Sequence, residues 1–477
     1  MQHRLAIAGT LVGSLAGWIA LVCTAGAVMA GARYEFVPPA PELAELELRV
    51  TNAADATPLT ARIQVAPVGS FESRRRRVSI AIDGHHRLQL APGQYQVWAS
   101  HGPEWSIAER RVNLRSAEHA VQILALKRQV RIEPYVGCDL HVHTDHSHDS
   151  QVALAERLAS AAAEGLQVAV ITDHNHVTEL TELPTRPDTT LVRGVEVTTW
   201  DPEFGHFNVF PSSHAPAYKH ASAERLLAAL PPKSARFIQV NHPRLLRHIG
   251  FFELAEASGA RDVLHAMRSG FDGLEVWNGY DLHRPHERDR VLLDWLTLIR
   301  HGRSVVATGG SDSHDLARTV IGYPRTYVAL AGRPSADGAA LAAALRAGRA
   351  FVSNGPVLDL QVDGHRPGDT LVLAHAVRRV KARLRVDAPA WMDLKTVELW
   401  LDGQRSLVVP LPAWTEPDKR PEQARAELQV ELPITPMGMK TRSVIAMVRG
   451  ERPMRELFDR RDVQPFAFTN PVWIARR

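Results

Sequence analysis

The sequence predicts an α/β fold with a central barrel-like core and a small all-β sandwich domain on either side, and three observations predict it. From Tyr135 to about residue 350, apolar strand-like runs alternate with alanine- and leucine-rich segments of helical spacing. On both sides of that region the apolar residues recur with period two, punctuated by Gly and Pro. Continuous apolar strands alternating with helices imply a parallel sheet covered on both faces, and seven or so such units imply a closed or nearly closed barrel. Period-two strands imply sheets with one solvated face.

The first 32 residues stand apart. His3 and Arg4 precede an uncharged apolar stretch from Leu5 to Ala30, which reads as an export signal. Ala30-Gly31-Ala32 supplies a small-residue cleavage site, and the stretch is also long enough to span a bilayer. Residues 1–32 are therefore either a signal peptide or an N-terminal membrane anchor. The basic residues ahead of the stretch leave the rest of the chain on the far side of the membrane, periplasmic or extracellular. Cys23, preceded by Val22, does not fit a lipoprotein signal. With Cys138 as the only other cysteine, a disulfide framework and a cysteine-rich zinc site are excluded.

With 477 residues, 45% of them hydrophobic, the chain has material for two or three domains. Its net charge of +4 is spread among interspersed acids and bases, which gives no nucleic-acid-binding surface. The run Arg74 to Arg77 reads as a solvated loop face, with contact to anionic lipid or polymer as the other reading.

Residues 40–130 carry alternating segments at Leu46–Val50, Ala61–Val65, Arg87–Leu90 and Tyr95–Trp98, with Pro92-Gly93 as a turn, and predict a small antiparallel sandwich. His85 and His86, being adjacent, point to opposite faces or sit in a turn, and read as a surface pair. Residues 135–350 carry strands at Asp139–His143, Val168–Thr172, Leu191–Thr198, Phe207–Phe210, Phe237–Val240, Gly273–Trp277 and Val305–Thr308. Helices are predicted around Leu154–Glu164, Ala223–Leu230, Arg288–His301 and Ala339–Ala347. Residues 355–477 return to alternation, at Val357–Leu360, Val380–Val386, Val397–Leu401, Ala426–Leu432 and Ser443–Val448, and form a second all-β domain.

Ligand-type side chains gather at the ends of the central strands. The first strand ends His141-Val142-His143, and residues two apart on an extended chain point the same way, so both imidazoles can reach one ion. Asp149 follows in the loop. Thr172-Asp173-His174-Asn175 ends the second strand, the third carries Glu196, and His206 begins the fourth. Asn241-His242-Pro243 and Gly310-Ser311-Asp312-Ser313-His314 end two later strands. Active sites of parallel αβ barrels form at the carboxyl ends of the strands. Carboxylates and imidazoles converging there need metal or pairing to offset desolvation.

Six histidines and three acids exceed the needs of one tetrahedral ion. They imply two or three divalent metal ions with a bridging carboxylate, and nitrogen and oxygen donors fit zinc, manganese or iron. His214, His220, His248, His265, His283, His286 and His301 lack paired spacing and read as surface or capping residues, and Cys138 as a small core residue.

These residues resemble the metal-binding motifs of the polymerase and histidinol phosphatase (PHP) superfamily. The resemblance runs through Asp139-Leu140-His141-Val142-His143-Thr144 with Ser147 and Asp149, Ile171-Thr172-Asp173-His174, Gly194-Val195-Glu196, Gly205-His206-Phe207-Asn208, Asn241-His242-Pro243 and Gly310-Ser311-Asp312-Ser313-His314, in the family order. It implies a distorted (β/α)7 barrel with a trinuclear centre. One ion would take His141, His143, Glu196 and Asp312; a second Glu196, His206 and His242; a third Asp149, His174 and His314. Pro92-Gly93-Gln94-Tyr95-Gln96-Val97, His101-Gly102-Pro103-Glu104 and the β region after Phe351-Val352-Ser353-Asn354-Gly355-Pro356 are similar to the CehA/McbA branch of metallohydrolases, named for carbaryl hydrolases.

The implied chemistry is attack by a metal-bridging hydroxide on phosphorus or a carbonyl. His242 or Asp312 would relay a proton, and Arg244 or Arg318 would steady a phosphate or oxyanion unless surface carboxylates engage them. Asp139, Asp173 and Asn175 are candidates to orient the imidazoles. The substrate is a small phosphoester, carbamate or carboxyl ester. Trp200, Phe204, Trp277 and Tyr280 are available to line an aromatic pocket. The rival reading is a cell-envelope binding protein with structural metals, whose β domains recognise a polymer or protein partner.

Overall fold

Alternation in the amino-terminal region becomes seven strands: β1 (Ala44–Asn52), β2 (Ala61–Pro67), β3 (Arg77–Ala81), β4 (His85–Leu90), β5 (Gly93–Ser100), β6 (Ala108–Leu114) and β7 (His119–Leu126). They form two sheets, β4-β1-β7 and β3-β2-β5-β6. Leu46, Leu48 and Val50 of one and Ile63, Val65 and Val97 of the other share a buried core. One expectation is corrected: β1 runs parallel to β7, not antiparallel. The five strands between them in sequence give the long connection that a parallel pair needs.

The computed structural model describes residues 42–477 apart from 70–75, 181–182, 184–187, 202, 231–234, 246–248, 268–269, 333, 336, 413–424, 435–440 and 459–461. The apolar stretch Leu5–Ala30 lies outside the described residues, as do Arg74, Arg75 and His248. No described helix is long and apolar enough to cross a membrane. Of the basic run, Arg76 lies over the Trp98 ring, 4.1 Å from its centroid, and Arg77 opens β3.

The central region is mixed α/β. β8 (Tyr135–Val142) is followed by α1 (Leu154–Ala163), and β9 (Val168–Ile171) and β10 (Thr190–Arg193) continue parallel to it. A second sheet takes β11 (Val195–Thr198), β12 (His206–Phe210), β13 (Phe237–Val240), β14 (Gly273–Asn278) and β15 (Val306–Gly310) in that order. Between these strands lie α2 (Ala223–Ala229), α3 (Phe251–Ala257), α4 (Val263–Ala266) and α5 (Pro285–Arg300).

The expectation of a wholly parallel central sheet fails at β12, which is antiparallel to both β11 and β13. The connection from β11 to β12 is too short for a crossover, so the chain must double back. Single bridges, Val142 to Ser313 and His174 to Glu196, tie the carboxyl ends of β8 and β9 to the second sheet.

Helix α5 shows how sequence fixes these layers. Pro285 occupies its first turn, where a missing N–H costs nothing, and Val291, Leu292, Trp295, Leu296 and Ile299 fall on the buried face. Trp295 donates its indole N–H to the Val305 carbonyl at 2.9 Å. Truncating so large a buried ring would cost about 3–5 kcal/mol.

After β16 (Arg325–Ala329), antiparallel to β8, come α6 (Ala339–Arg346) and β17 (Ala350–Ser353). The remaining strands are β18 (Val357–Val362), β19 (Thr370–Leu373), β20 (Arg379–Asp387), β21 (Thr396–Leu401), β22 (Gln404–Pro410), β23 (Ala426–Pro433), β24 (Thr441–Arg449), β25 (Phe466–Thr469) and β26 (Val472–Arg476). β18-β20-β23 form their own sheet. The others extend the sheet that starts in the central region, in the order β10-β9-β8-β16-β17-β25-β24-β21-β22, with β26 pairing β24 and β19. Asn470 reinforces this continuity. Its Oδ1 accepts from Ala307 N, and its Nδ2 donates to the carbonyls of Ala307 and Ala350.

Candidate metal centre

His141 sits near the end of β8 and His143 just past it, both fully buried, with ring centroids 5.1 Å apart. The bridge between Val142 and Ser313 brings the loop after β15 alongside. Asp312 Oδ1 then lies 3.2 Å from His141 Nε2 and 3.0 Å from His143 Nε2. Buried Arg157 of α1 fastens the same two loops, donating to the His143 carbonyl and to the hydroxyl and carbonyl of Ser313.

Glu196 stands at the centre. Its Oε2 lies 3.2 Å from His141 Nε2, 3.3 Å from His143 Nε2 and 3.2 Å from His174 Nδ1. Its Oε1 lies 3.2 Å from both His206 Nδ1 and His242 Nε2. His206 reaches this point because β12 is reversed: it pairs with Thr198 across from β11, so the start of one strand meets the end of the other. Farther out, Asp149 Oδ2 lies 3.2 Å from His174 Nε2 and 3.1 Å from His314 Nε2.

All nine residues singled out from the sequence thus converge. Three groups have donor atoms within 4.8 Å of one another: His143, Asp149, His174 and His314; His141, His143, Glu196 and Asp312; His174, Glu196 and His206. Buried His141 Nε2, Glu196 Oε2 and His314 Nε2 make no hydrogen bond, although oxygen or nitrogen donors lie close by. Ligand atoms around one ion with bonds of ~2.1 Å sit roughly 3.0–3.4 Å apart and face the ion, not each other. The donor set, its spacing and its orphaned atoms therefore fit divalent metal ions, and these buried groups can hold them.

Electrostatics point the same way. Burial opposes charge on His141, yet Asp312, Glu275 and Glu196 outweigh it and raise its pKa well above the ordinary value. Burial is likewise overcome at His174, where Glu196 and Asp149 raise the pKa to about 9, and at His242 and His314. Burial prevails at His143, lowered to about 4, and lowers His206. Asp149, Glu196 and Asp312 are held below the carboxylate range by the imidazoles around them, against burial. Protons on imidazoles balance the carboxylates where cations otherwise would.

The residues that orient the imidazoles are not those expected. Asp139 accepts from the backbone N–H groups of His141, Ser311 and Gly322, and Asp173 from Thr144 and Thr178. Asn175 pairs with the backbone of Thr198. These three fix loops. The imidazole partners are Glu275 for His141, Ser147 for His143, Thr198 for His174 and the Asp312 carbonyl for His314. Glu275 and Asn278, both on β14, were missed. Asn278 Nδ2 donates to Glu275 Oε2 and Asp312 Oδ2, and Glu275 Oε2 accepts the His242 N–H. The available signal was one acid inside the apolar run Gly273–Trp277.

His242 and Asp312 both adopt left-handed backbone, with φ of 24° and 51°. Such strain in non-glycine residues persists only where surrounding contacts enforce it.

Of the two readings open for Arg244, the structure bears on the second, engagement by carboxylates. Its side chain is 7% exposed and engaged by Asp294 at 2.7 Å, Glu256 at 2.7 Å and Glu253 at 3.7 Å. Arg318 lies on the exposed loop after His314, with its backbone N–H bonded to Asp315. Trp277 is fully buried in the main core and lines no mouth, Phe204 is partly buried and packs against that core, and Trp200 and Tyr280 are exposed. Cys138 is buried in a core cluster, as expected.

No protein-family model and no curated protein matches the chain. Among solved structures it is similar to the lesion-specific endonuclease PfuEndoQ from Pyrococcus furiosus, 13% identical over 44% of this chain and 56% of that one, TM-score 0.30. A DUF3823 family protein from Parabacteroides merdae is 19% identical over 20% of this chain and 52% of its own, TM-score 0.16. The chain thus spans about half the length of these two structures. Superpositions this loose do not establish a shared fold, and the chemistry of the centre rests on its own geometry.

Proposed function

We propose that the chain is an exported metal-dependent hydrolase in which a centre of two or three divalent ions, seated in a distorted (β/α)7 barrel of PHP type, cleaves an ester-type bond. The observation that carries this reading is Glu196, one buried carboxylate faced by five imidazoles on two sides. That is the disposition of a bridging ligand, and a purely structural ion would need fewer donors. His141, His143, Glu196 and Asp312 would hold one ion, Glu196, His206 and His242 a second, and Asp149, His174 and His314 a third. Zinc, manganese and iron all suit these donors.

Ions so held would supply an activated water and polarise the attacked group. The chain's own part is positioning. Glu275, Asn278, Ser147 and Thr198 hold imidazoles and carboxylates in one geometry. A proton relay through His242 or Asp312 completes the reading. Export rests on residues 1–32.

The test is elemental analysis of the full-length protein, followed by a screen of aryl phosphate, phosphodiester, carbamate and carboxyl-ester substrates with and without added manganese. Two or three metals per chain and chelator-sensitive turnover are expected. One metal or none, with no turnover after reconstitution, would overturn the reading and favour a binding protein.

A further inference from the structure

We propose that His146 and His176, with Asp145, form an outer site for one divalent cation of the zinc or nickel type, distinct from the nine candidate ligands, through which ions pass to the centre. All three side chains are exposed. The two imidazole rings are parallel to within 1°, with centroids 5.4 Å apart. Imidazoles that face one carboxylate in the centre itself stand at nearly the same separation, 5.1 Å for His141 with His143 and for His206 with His242. Asp145 Oδ1 lies 3.3 Å from His146 Nδ1, which is the spacing of two donors around one ion. An ion must lie along the lone pair of each ring, so one ring turns about its last torsion to admit it, and that torsion is soft in an exposed histidine.

The pair is held in register by Asp173. Its carboxylate accepts the N–H and the hydroxyl of Thr144, next to Asp145, and its carbonyl accepts the His176 N–H at 3.3 Å. One residue thus sets the loop after β8 against the loop after β9. Farther in, the same two loops bring His148, also exposed, to 4.9 Å between its ring and that of His174, a candidate ligand. The centre opens to solvent on this side: Asp149, facing His174, is 38% exposed, whereas His141 and His143 are wholly buried. An ion bound for the buried positions has to shed its water, and imidazoles met on the way replace that water in steps. Imidazole suits zinc, copper and nickel and not magnesium or calcium, so the outer pair also selects what enters. The outer site rests on its own residues, and the feeding role rests on the metal centre proposed above.

The experiment titrates zinc into the full-length protein by calorimetry, with metal content determined by elemental analysis, for wild type, His146→Ala, His176→Ala and the control His286→Ala, a histidine 77% exposed on α5. Wild type and control are expected to bind one ion beyond those of the centre, more weakly than the centre does, and magnesium is expected not to replace it. His146→Ala and His176→Ala are expected to lose that ion and keep the others. In stopped-flow loading of the metal-free protein with limiting zinc, both are expected to fill the centre about tenfold more slowly, since a capture site raises the local ion concentration. No additional ion in the wild type, or one that survives both substitutions, would overturn the outer site. Unchanged loading rates would overturn its feeding role. A wild type that binds the outer ion and none in the centre would overturn the hydrolase reading and the feeding role, with the outer site standing.

Discussion

Glu275 Oε1 lies 3.0 Å from His141 Nδ1, with both side chains fully out of water, and its other oxygen accepts the backbone N–H of His242. One carboxylate thus orients the ring of one candidate ligand and the backbone of another. Replacing it with Gln sets an amide NH2 against one of these donors. Glu275→Gln is expected to weaken metal binding by about 10–100-fold, measured by competition with a chromophoric chelator, with little change in near-ultraviolet dichroism. Unchanged affinity would remove Glu275 from the machinery of the centre.

Metal uptake should release protons. In the metal-free protein His174 titrates at about 9, and His141, His242 and His314 are raised as well. These folded-state values exceed the unfolded one, so the charged pairs stabilise the metal-free fold fully below about pH 6.5, and that stability is lost as pH rises through about 9. Bound metal contributes with the opposite sign, because its ligands must be deprotonated. The rise in melting temperature on adding metal should therefore grow from pH 6 to pH 9, and calorimetry in buffers of different ionisation enthalpy should register protons released.

His101 titrates the other way. Burial lowers it to about 4, against a hydrogen bond to the Thr60 carbonyl at 2.7 Å. The unfolded chain then binds more protons between about pH 4 and 6.5, so stability falls as pH falls through that window, by about 3 kcal/mol at most. Denaturant titrations at pH 7 and pH 5 should show a larger loss for wild type than for His101→Gln; equal losses would refute the assignment.

The amino-terminal β region is docked through charge. Glu104 accepts from the Tyr327 hydroxyl at 2.6 Å and faces the fully buried Arg325 at 3.5 Å. Glu104→Ala leaves that guanidinium without its carboxylate and is expected to cost about 3–5 kcal/mol in chemical denaturation. A loss below 1 kcal/mol would show that other groups satisfy Arg325.

What the sequence discloses follows from how local each feature is. His141 and His143 are two residues apart at the end of one strand, and Asp312 and His314 repeat that spacing, so their convergence can be read from short motifs. Glu275 has no such neighbour. Its partners His141 and His242 are brought to it by β8 and β13, and nothing within the Gly273–Trp277 run records that. The reversal at β12 is legible only in hindsight, in the short link from Thr198 to His206. Arg244 beside His242 looks available in sequence because Glu253, Glu256 and Asp294, which engage it, belong to α3 and α5. The junction at about residue 350 is hidden too, since β17 pairs with β25, more than a hundred residues later.

That last pairing bears on how the chain can be cut. Shortening it after residue 355 would strip β25 from β17 and leave Phe351 and Val352 on an unpaired edge, a template for intermolecular strand addition. It would also remove Asn470, which holds Ala307 in β15, the strand leading to Asp312. A fragment carrying every candidate ligand would still lack the brace for one of them, and insolubility of such a fragment would reflect a bared sheet edge and not a damaged centre.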